Sequence, residues 1–284
     1  MAQAEQQPER YTGETLPAWS LPAAVAETIG IGAEWPERVT RDWALGGSAG
    51  AGIRVCILDS GVQADHPLVG SLEGAVALRK TEDGEIVVEN DTEGDLCGHG
   101  TACAGIVRSL APDCRLFSVR VLGAGFKGSG SVLLEGLRWA IGEGFDVINM
   151  SLSTTKKQFS GWLHELADSA YFRRTVLVAS AHNMPVESYP WRFSSVLSVG
   201  SHDQKGPLSF FYNPDPPVEF FAPGLDLDVP WIGGSTLRCS GNSFATPHMT
   251  GICALILGKH PELTPFQLKS VLHGTATNVE EAAP

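Results

Sequence analysis

Several short runs in this chain are apolar along nearly their whole length instead of at every second position: IRVCIL (53–58), LFSVRVL (116–122), DVINMSL (146–152), TVLVAS (175–180) and SVLSVG (195–200). Strands of that kind must be buried on both faces, which is the condition met inside a parallel sheet covered by helices. Helix-like segments alternate with them, one opening near His99 and others across 131–142 and 161–171. The expected class is therefore α/β, with three layers: a mostly parallel sheet and helices on both of its faces. In such sheets ligands gather at the carboxyl ends of the strands, so the residues that follow each run are where chemistry is sought.

A chain of 284 residues with 43% hydrophobic content is long enough for one large core, and its 32 glycines and 18 prolines are scattered as turns without a repeat. One domain is expected over 27–284. The preceding residues 1–26 mix Gln, Glu, Pro and Thr with little periodicity, as a loosely ordered or docked extension would. Leu16, Pro17, Ala18 and Trp19 are its apolar candidates for lying across a cleft. No basic start leads into a long apolar run and no stretch approaches a membrane span, so a cytoplasmic protein with no membrane partner is expected.

The net charge of −12 argues against nucleic acid as a partner, because that affinity rests on Lys and Arg neutralising phosphates. Glu82, Asp83, Glu85, Glu89, Asp91, Glu93 and Asp95 crowd together, and read either as a solvated loop or as a negative rim that favours basic substrates. Cys56, Cys97, Cys103, Cys114, Cys239 and Cys253 form no CxxC pair and no metal-ligand spacing. Several lie in apolar runs, so free thiols are expected, with no metal and no other cofactor.

Three residues stand where chemistry is sought. Asp59 closes the run 53–58 and opens the turn DSGV, a position equally suited to ordinary turn chemistry. His99 lies between Gly98 and Gly100 at the mouth of a segment of small residues, GHGTACAG, where glycines let the backbone approach closely and leave the ring unobstructed. Ser243 stands between a glycine-containing turn and a long apolar helix with Pro247 in its first turn, where the unsatisfied N–H groups suit a nucleophile and an oxyanion but also suit a simple cap. Each reading alone is weak. Together they are specific, since a serine needs a base and the base needs a group to fix its tautomer.

The segments DSGV, GHGT and GNSFATPH, in the order Asp, His, Ser, resemble the signature segments of the subtilisin-like serine peptidases, the subtilases, over about residues 28–279. The resemblance implies that Asp59, His99 and Ser243 are the catalytic triad and that Asn183 is the oxyanion asparagine. His182 stands where the family usually has glycine, which puts the shape of the adjoining pocket in question. By the same resemblance, Gly128, Ser129 and Gly130 on one side and Ser151, Leu152 and Ser153 on the other pair with an extended peptide or protein substrate, with Ser153 and Thr154 adding bulk where glycines are common. The stretch from Asn183 to Pro190 is short, and Met184, Glu187 and Tyr189 are candidates to line the first specificity pocket, Glu187 either selecting a basic side chain or doing nothing specific. Cys103 resembles the free cysteine that some members carry beside the catalytic histidine. The stretch from Gly100 to Pro112 lacks the Asn-rich loop with which many secreted members hold calcium, so no tight calcium site is expected there.

The function implied is hydrolysis of peptide bonds through an acyl-enzyme, in general intracellular proteolysis or in processing of a precursor peptide. Two rivals are a catalytically weak peptide-binding or regulatory protein, with an oxyanion hole distorted by His182, and a transpeptidase. The sequence does not address oligomeric state.

Overall fold

Burial of both faces of the apolar runs organises the chain from Pro36 onward, the second of two compact units whose boundary falls after Trp35. The computed structural model describes residues 20–30 and 35–280. Of the first unit it gives one helical turn, α1 (Ala23–Ala26). Leu16, Pro17, Ala18 and Trp19 lie outside the described residues.

The second unit runs α2 (Arg41–Leu45), β1 (Arg54–Asp59), β2 (Gly74–Lys80), β3 (Ile86–Asn90), α3 (His99–Leu110), β4 (Arg115–Arg120), α4 (Gly130–Gly142) and β5 (Val147–Met150). It continues through α5 (Ser160–Phe172), β6 (Val176–Ser180), β7 (Leu197–His202), β8 (Phe211–Tyr212), β9 (Phe220–Pro223), β10 (Leu227–Trp231), β11 (Ser235–Cys239), α6 (Asn242–Lys259), α7 (Pro265–Thr275) and α8 (Thr277–Glu280). Nine strands form one sheet in the order β3-β2-β4-β1-β5-β6-β7-β9-β8. The seven from β2 to β9 are parallel, and β3 and β8 close the two edges antiparallel. β1 is central, with Cys56 level with Phe117 of β4 and Ile148 of β5, and every residue from Val55 to Asp59 is buried.

Helices cover both faces, as the apolar runs require. Leu137 and Ala140 of α4 and Leu163 and Ala167 of α5 share one core with Leu58, Val119, Ile148 and Leu177 of the sheet. Each of the larger of these side chains, Leu, Ile or Val, stabilises the fold by roughly 1.5–3 kcal/mol on burial. Ala102, Ile106 and Leu110 of α3 pack with Phe244 of α6 and Val229 of β10 in a second cluster. α6 is buried from Phe244 to Leu257 with no polar face, so nothing in its pattern marks an outer side. It begins at Asn242, which puts Pro247 in its second turn and not, as the sequence reading has it, in the first.

The acidic stretch from Glu82 to Asp95 is turn and loop except for its middle. Ile86–Asn90 is edge strand β3, where Glu89 pairs with Arg79, and beyond it Asp91 and Glu93 both pair with Arg120. Charged side chains on an edge strand discourage pairing with another chain. α3 passes without interruption through Ala111 into the turn before β4.

His248 is buried within α6, where its Nδ1–H donates to the Phe244 carbonyl at 2.9 Å. Burial lowers its pKa from 6.5 to about 4, with His202 adding to the effect. A depressed pKa means that the unfolded chain takes up the proton first as pH falls. Stability is therefore full above about 6.5 and is lost down to about 4, by about 3 kcal/mol for this residue. Urea unfolding at about pH 7 and about pH 4 is expected to show that much less acid sensitivity in His248→Gln than in the parent chain.

Candidate active site

β1 delivers Asp59 to the carboxyl edge of the sheet with no solvent exposure. Its Oδ1 accepts the Ser60 backbone N–H at 2.8 Å and lies 2.8 Å from His99 Nδ1. Since a carboxylate only accepts, Nδ1 carries the ring proton and Nε2 is left as the basic nitrogen. His99 opens α3 because Gly98 takes a left-handed φ of 92° just before it, and a Cβ on Gly98 would come within 2.3 Å of the Trp231 ring. A Cβ on Gly100 would meet the Gly61 carbonyl oxygen at 2.0 Å, so the flanking glycines are needed for close approach.

Asp95 holds this turn together. Its Oδ1 accepts from Ser60 Oγ and from the N–H groups of Cys97 and Gly98, and its Oδ2 accepts from the Thr101 N–H and hydroxyl, all at 2.6–2.9 Å. The carboxylate thus satisfies free donors at the start of α3 and ties that helix to the residue after Asp59. Burial works against a charged His99, but the charge and hydrogen bond of Asp59, with Asp95 behind, outweigh it and hold the imidazole above its ordinary value of 6.5. Phe126 lies edge-on to the ring at 5.5 Å and Phe244 tilts against it at 5.6 Å.

Ser243 is the second residue of α6, at the N-terminal end where backbone N–H groups have no helical acceptor. Pro247, four residues on, has no N–H to give the Ser243 carbonyl. That carbonyl accepts instead from Ser151 Oγ at 2.8 Å and from Cys103 Sγ at 3.7 Å, which fixes the start of α6 against the end of β5 and against α3. Asn242 completes the anchoring. Its Oδ1 accepts from the N–H and hydroxyl of Ser201, its Nδ2 donates to the Ala181 carbonyl at 3.2 Å, and its backbone N–H donates to Asn183 Oδ1 at 3.0 Å. With Oδ1 engaged, the Nδ2 group of Asn183 is the donor left free among the described residues.

A cavity of about 460 Å³ brings His99, Ser243 and Asn183 together, and Gly128, Ser129, Gly130, Ser151, Leu152, Ser153 and His182 also line it. Asp59 is not on its wall, being behind His99, with which its Oδ1 is in contact. No hydrogen bond joins Ser243 Oγ to His99 among the described residues, a common condition in a free site. Segments 128–130 and 151–153 are not strands. Ser129 caps α4, accepting from the Val132 N–H, and 151–153 continue beyond β5. Gly130 is required by the Phe159 ring, which a Cβ would meet at 2.1 Å.

The expected lining by Met184, Glu187 and Tyr189 is corrected. Met184 and Glu187 border an adjoining hollow of about 380 Å³, with Trp191 and Phe221, that shares Ala181 and His182 with the first. Tyr189 is buried, its backbone paired with Thr154 and its hydroxyl bonded to Glu187. All six cysteines are unpaired. Burial first, and then the Asp59 charge, push the Cys103 thiol well above its ordinary range, so it stays protonated and is no rival nucleophile. Asp95 and Asn242 are the site residues that the sequence reading missed, although an Asx shortly before a helix is a capping signal and Asn242 lies inside the quoted GNSFATPH segment.

Residues 50–284 match the model of the subtilase family. The chain is 32% identical to subtilisin DY of Bacillus licheniformis over 83% of this chain and 88% of that protein. It is also 32% identical to the M-protease of Shouchella clausii (strain KSM-K16), over 82% of this chain but 61% of that longer protein. Among solved structures it is similar to a cold adapted subtilisin-like serine proteinase, with a TM-score of 0.66, 27% identity and coverage of 82% of this chain and 87% of the other.

Because the base form of His99 appears only above its raised pKa, the rate at which a fluorophosphonate modifies Ser243 is expected to rise with pH through a midpoint above 6.5. In Asp59→Asn the charge that raises the pKa is gone and burial remains. A lower midpoint and slower modification are expected in the pH profile of labelling.

Proposed function

The chain belongs to the subtilase family of serine peptidases, and on that footing we propose that Ser243 is its nucleophile, His99 the general base and Asp59 the carboxylate that orients His99. The observation that carries the assignment is the buried 2.8 Å contact of His99 with Asp59, with His99, Ser243 and Asn183 on one cavity wall. In this reading His99 Nε2 takes the Ser243 proton as Oγ attacks the substrate carbonyl, and the Asn183 Nδ2 and Ser243 N–H groups receive the oxyanion. His99 then gives the proton to the departing amine, and water cleaves the acyl-enzyme by the same route in reverse. The substrate is a peptide or protein lying extended between segments 128–130 and 151–153, and the activity is that of an endopeptidase in general proteolysis or precursor processing.

Hydrolysis is favoured over transpeptidation because Asn183 is exposed and Phe126 half exposed, so water reaches the acyl-enzyme. Against a binder with a distorted oxyanion hole stands His182 itself, whose Nδ1 accepts the Met184 N–H at 2.9 Å while Asn183 stays tied to Asn242. Six unpaired thiols fit work in a reducing compartment such as the cytoplasm.

Ser243→Ala is expected to abolish both peptide hydrolysis and fluorophosphonate labelling. Asn183→Ala is expected to keep labelling and to lose about 10²–10³-fold in turnover. Unimpaired hydrolysis by Ser243→Ala would overturn the assignment.

A further inference from the structure

The protein is acidic overall, at −12, yet the ionisable side chains lining the cavity beside Ser243 are His99, His182 and Lys156, with no Asp or Glu among them. Lys156 is exposed and forms no ion pair among the described residues, whereas its neighbour Lys157 pairs with Glu187 at 3.3 Å. Glu187 is further engaged by the Tyr189 hydroxyl at 2.8 Å and by Arg192 at 3.8 Å, and it borders the other hollow. The acidic residues from Glu82 to Asp95 are also absent from the cavity wall. A positive charge left without a partner in an acidic protein, on the wall of its cleft, is positioned for an anionic ligand.

Its place relative to the chemistry follows from the sheet. β5 and β6 are parallel neighbours with Met150 level with Ala179, so the segments leaving them, 151–156 and 181–183, run out side by side. Both segments line the cavity that holds Ser243 and Asn183, so on the reading above the space between them is open to the side chain of the residue whose carbonyl is attacked. Ser153 and Thr154 bring hydroxyls to that wall beside Leu152 and Ala181, and Ser153 Oγ donates to the Oγ of buried Ser188 off the wall at 3.1 Å.

Resting on the serine-peptidase reading above, we propose that this cleft selects an acidic side chain, Glu or Asp, on the residue whose carbonyl is attacked, and that Lys156 determines the selection. A carboxylate entering between the segments meets the Lys156 ammonium, and a basic side chain meets a like charge with no acceptor carboxylate to compensate.

The test is kcat/KM for peptides identical except for Glu, Gln, Lys or Phe before the scissile bond, with the parent chain, Lys156→Met and Lys156→Glu. The expected results are a preference for Glu over Lys of about tenfold, a Glu-to-Gln advantage lost in Lys156→Met, and an inverted Glu-to-Lys ratio in Lys156→Glu. Ratios that do not move with Lys156 while peptides are still cut would overturn the inference and leave the peptidase reading standing. No cutting of any peptide, together with no fluorophosphonate labelling of the parent, would overturn both. If the variants do not label and so do not fold, the parent decides. Its Glu-to-Gln ratio must fall between about 0.01 M and about 1 M salt, where screening shortens from about 30 to about 3 Å, and a constant ratio would refute the proposal.

Discussion

The Asp59 carboxylate sits without solvent at the end of β1, and an anion there is tolerated only if donors and positive charge are brought to it. Ser60 supplies a backbone N–H and His99 a ring N–H, both to Oδ1, while Oδ2 is buried with no partner among the described residues. The raised pKa of His99 is the other face of this arrangement, since the carboxylate that the imidazole compensates also favours the imidazolium. Breaking such a pair by removing one member typically costs about 3–5 kcal/mol, because the remaining charge is left buried. The contact that tunes the base is thus also one on which local order depends.

Around that pair, backbone needs and chemical needs are met by the same groups. Asp95 satisfies free N–H groups at the start of α3 and in doing so sets where the His99 ring lies. Pro247 withholds an N–H from the Ser243 carbonyl, and the vacancy is filled by Ser151, whose own hydroxyl also accepts from Asn149 Nδ2. Asn149 in turn accepts from Thr250 two turns along α6, so a short polar chain joins β5 to α6 through an otherwise apolar interior. Every member of that chain has a partner, which is the condition for a buried polar network to add order instead of cost.

Much of this could be read from residue order alone. The fully apolar runs gave β1, β4, β5, β6 and β7 to within a few residues, because two-sided burial leaves an unambiguous pattern. Asp59, His99 and Ser243 were singled out because each stands at an element boundary beside glycine and because DSGV, GHGT and GNSFATPH together resemble the subtilase signatures. The hairpin of β2 and β3 was hidden because its solvent-facing charges resemble a loop, and Glu89 pairs across to a residue on the neighbouring strand that no local window includes. Asp95 and Asn242 act by linking groups distant in the chain, such as Thr101 with the Ser60 hydroxyl and Ser201 with the Asn183 side chain, and such links become visible only in three dimensions. Glu187 was misplaced because its three partners, Lys157, Tyr189 and Arg192, are not legible in the sequence and hold it at the border of the second hollow.

Asp59 comes from the second element of the folded unit and Ser243 from the long helix α6, so the two belong to the same neighbourhood only after the sheet has formed and α6 has packed across it. Contacts so far apart along the chain close late, since the entropy of the intervening loop must be overcome first. On the roles proposed for these residues, a nascent or partly unfolded copy holds a serine with an alcohol's ordinary reactivity and no base beside it, and reactivity waits on completion of the fold.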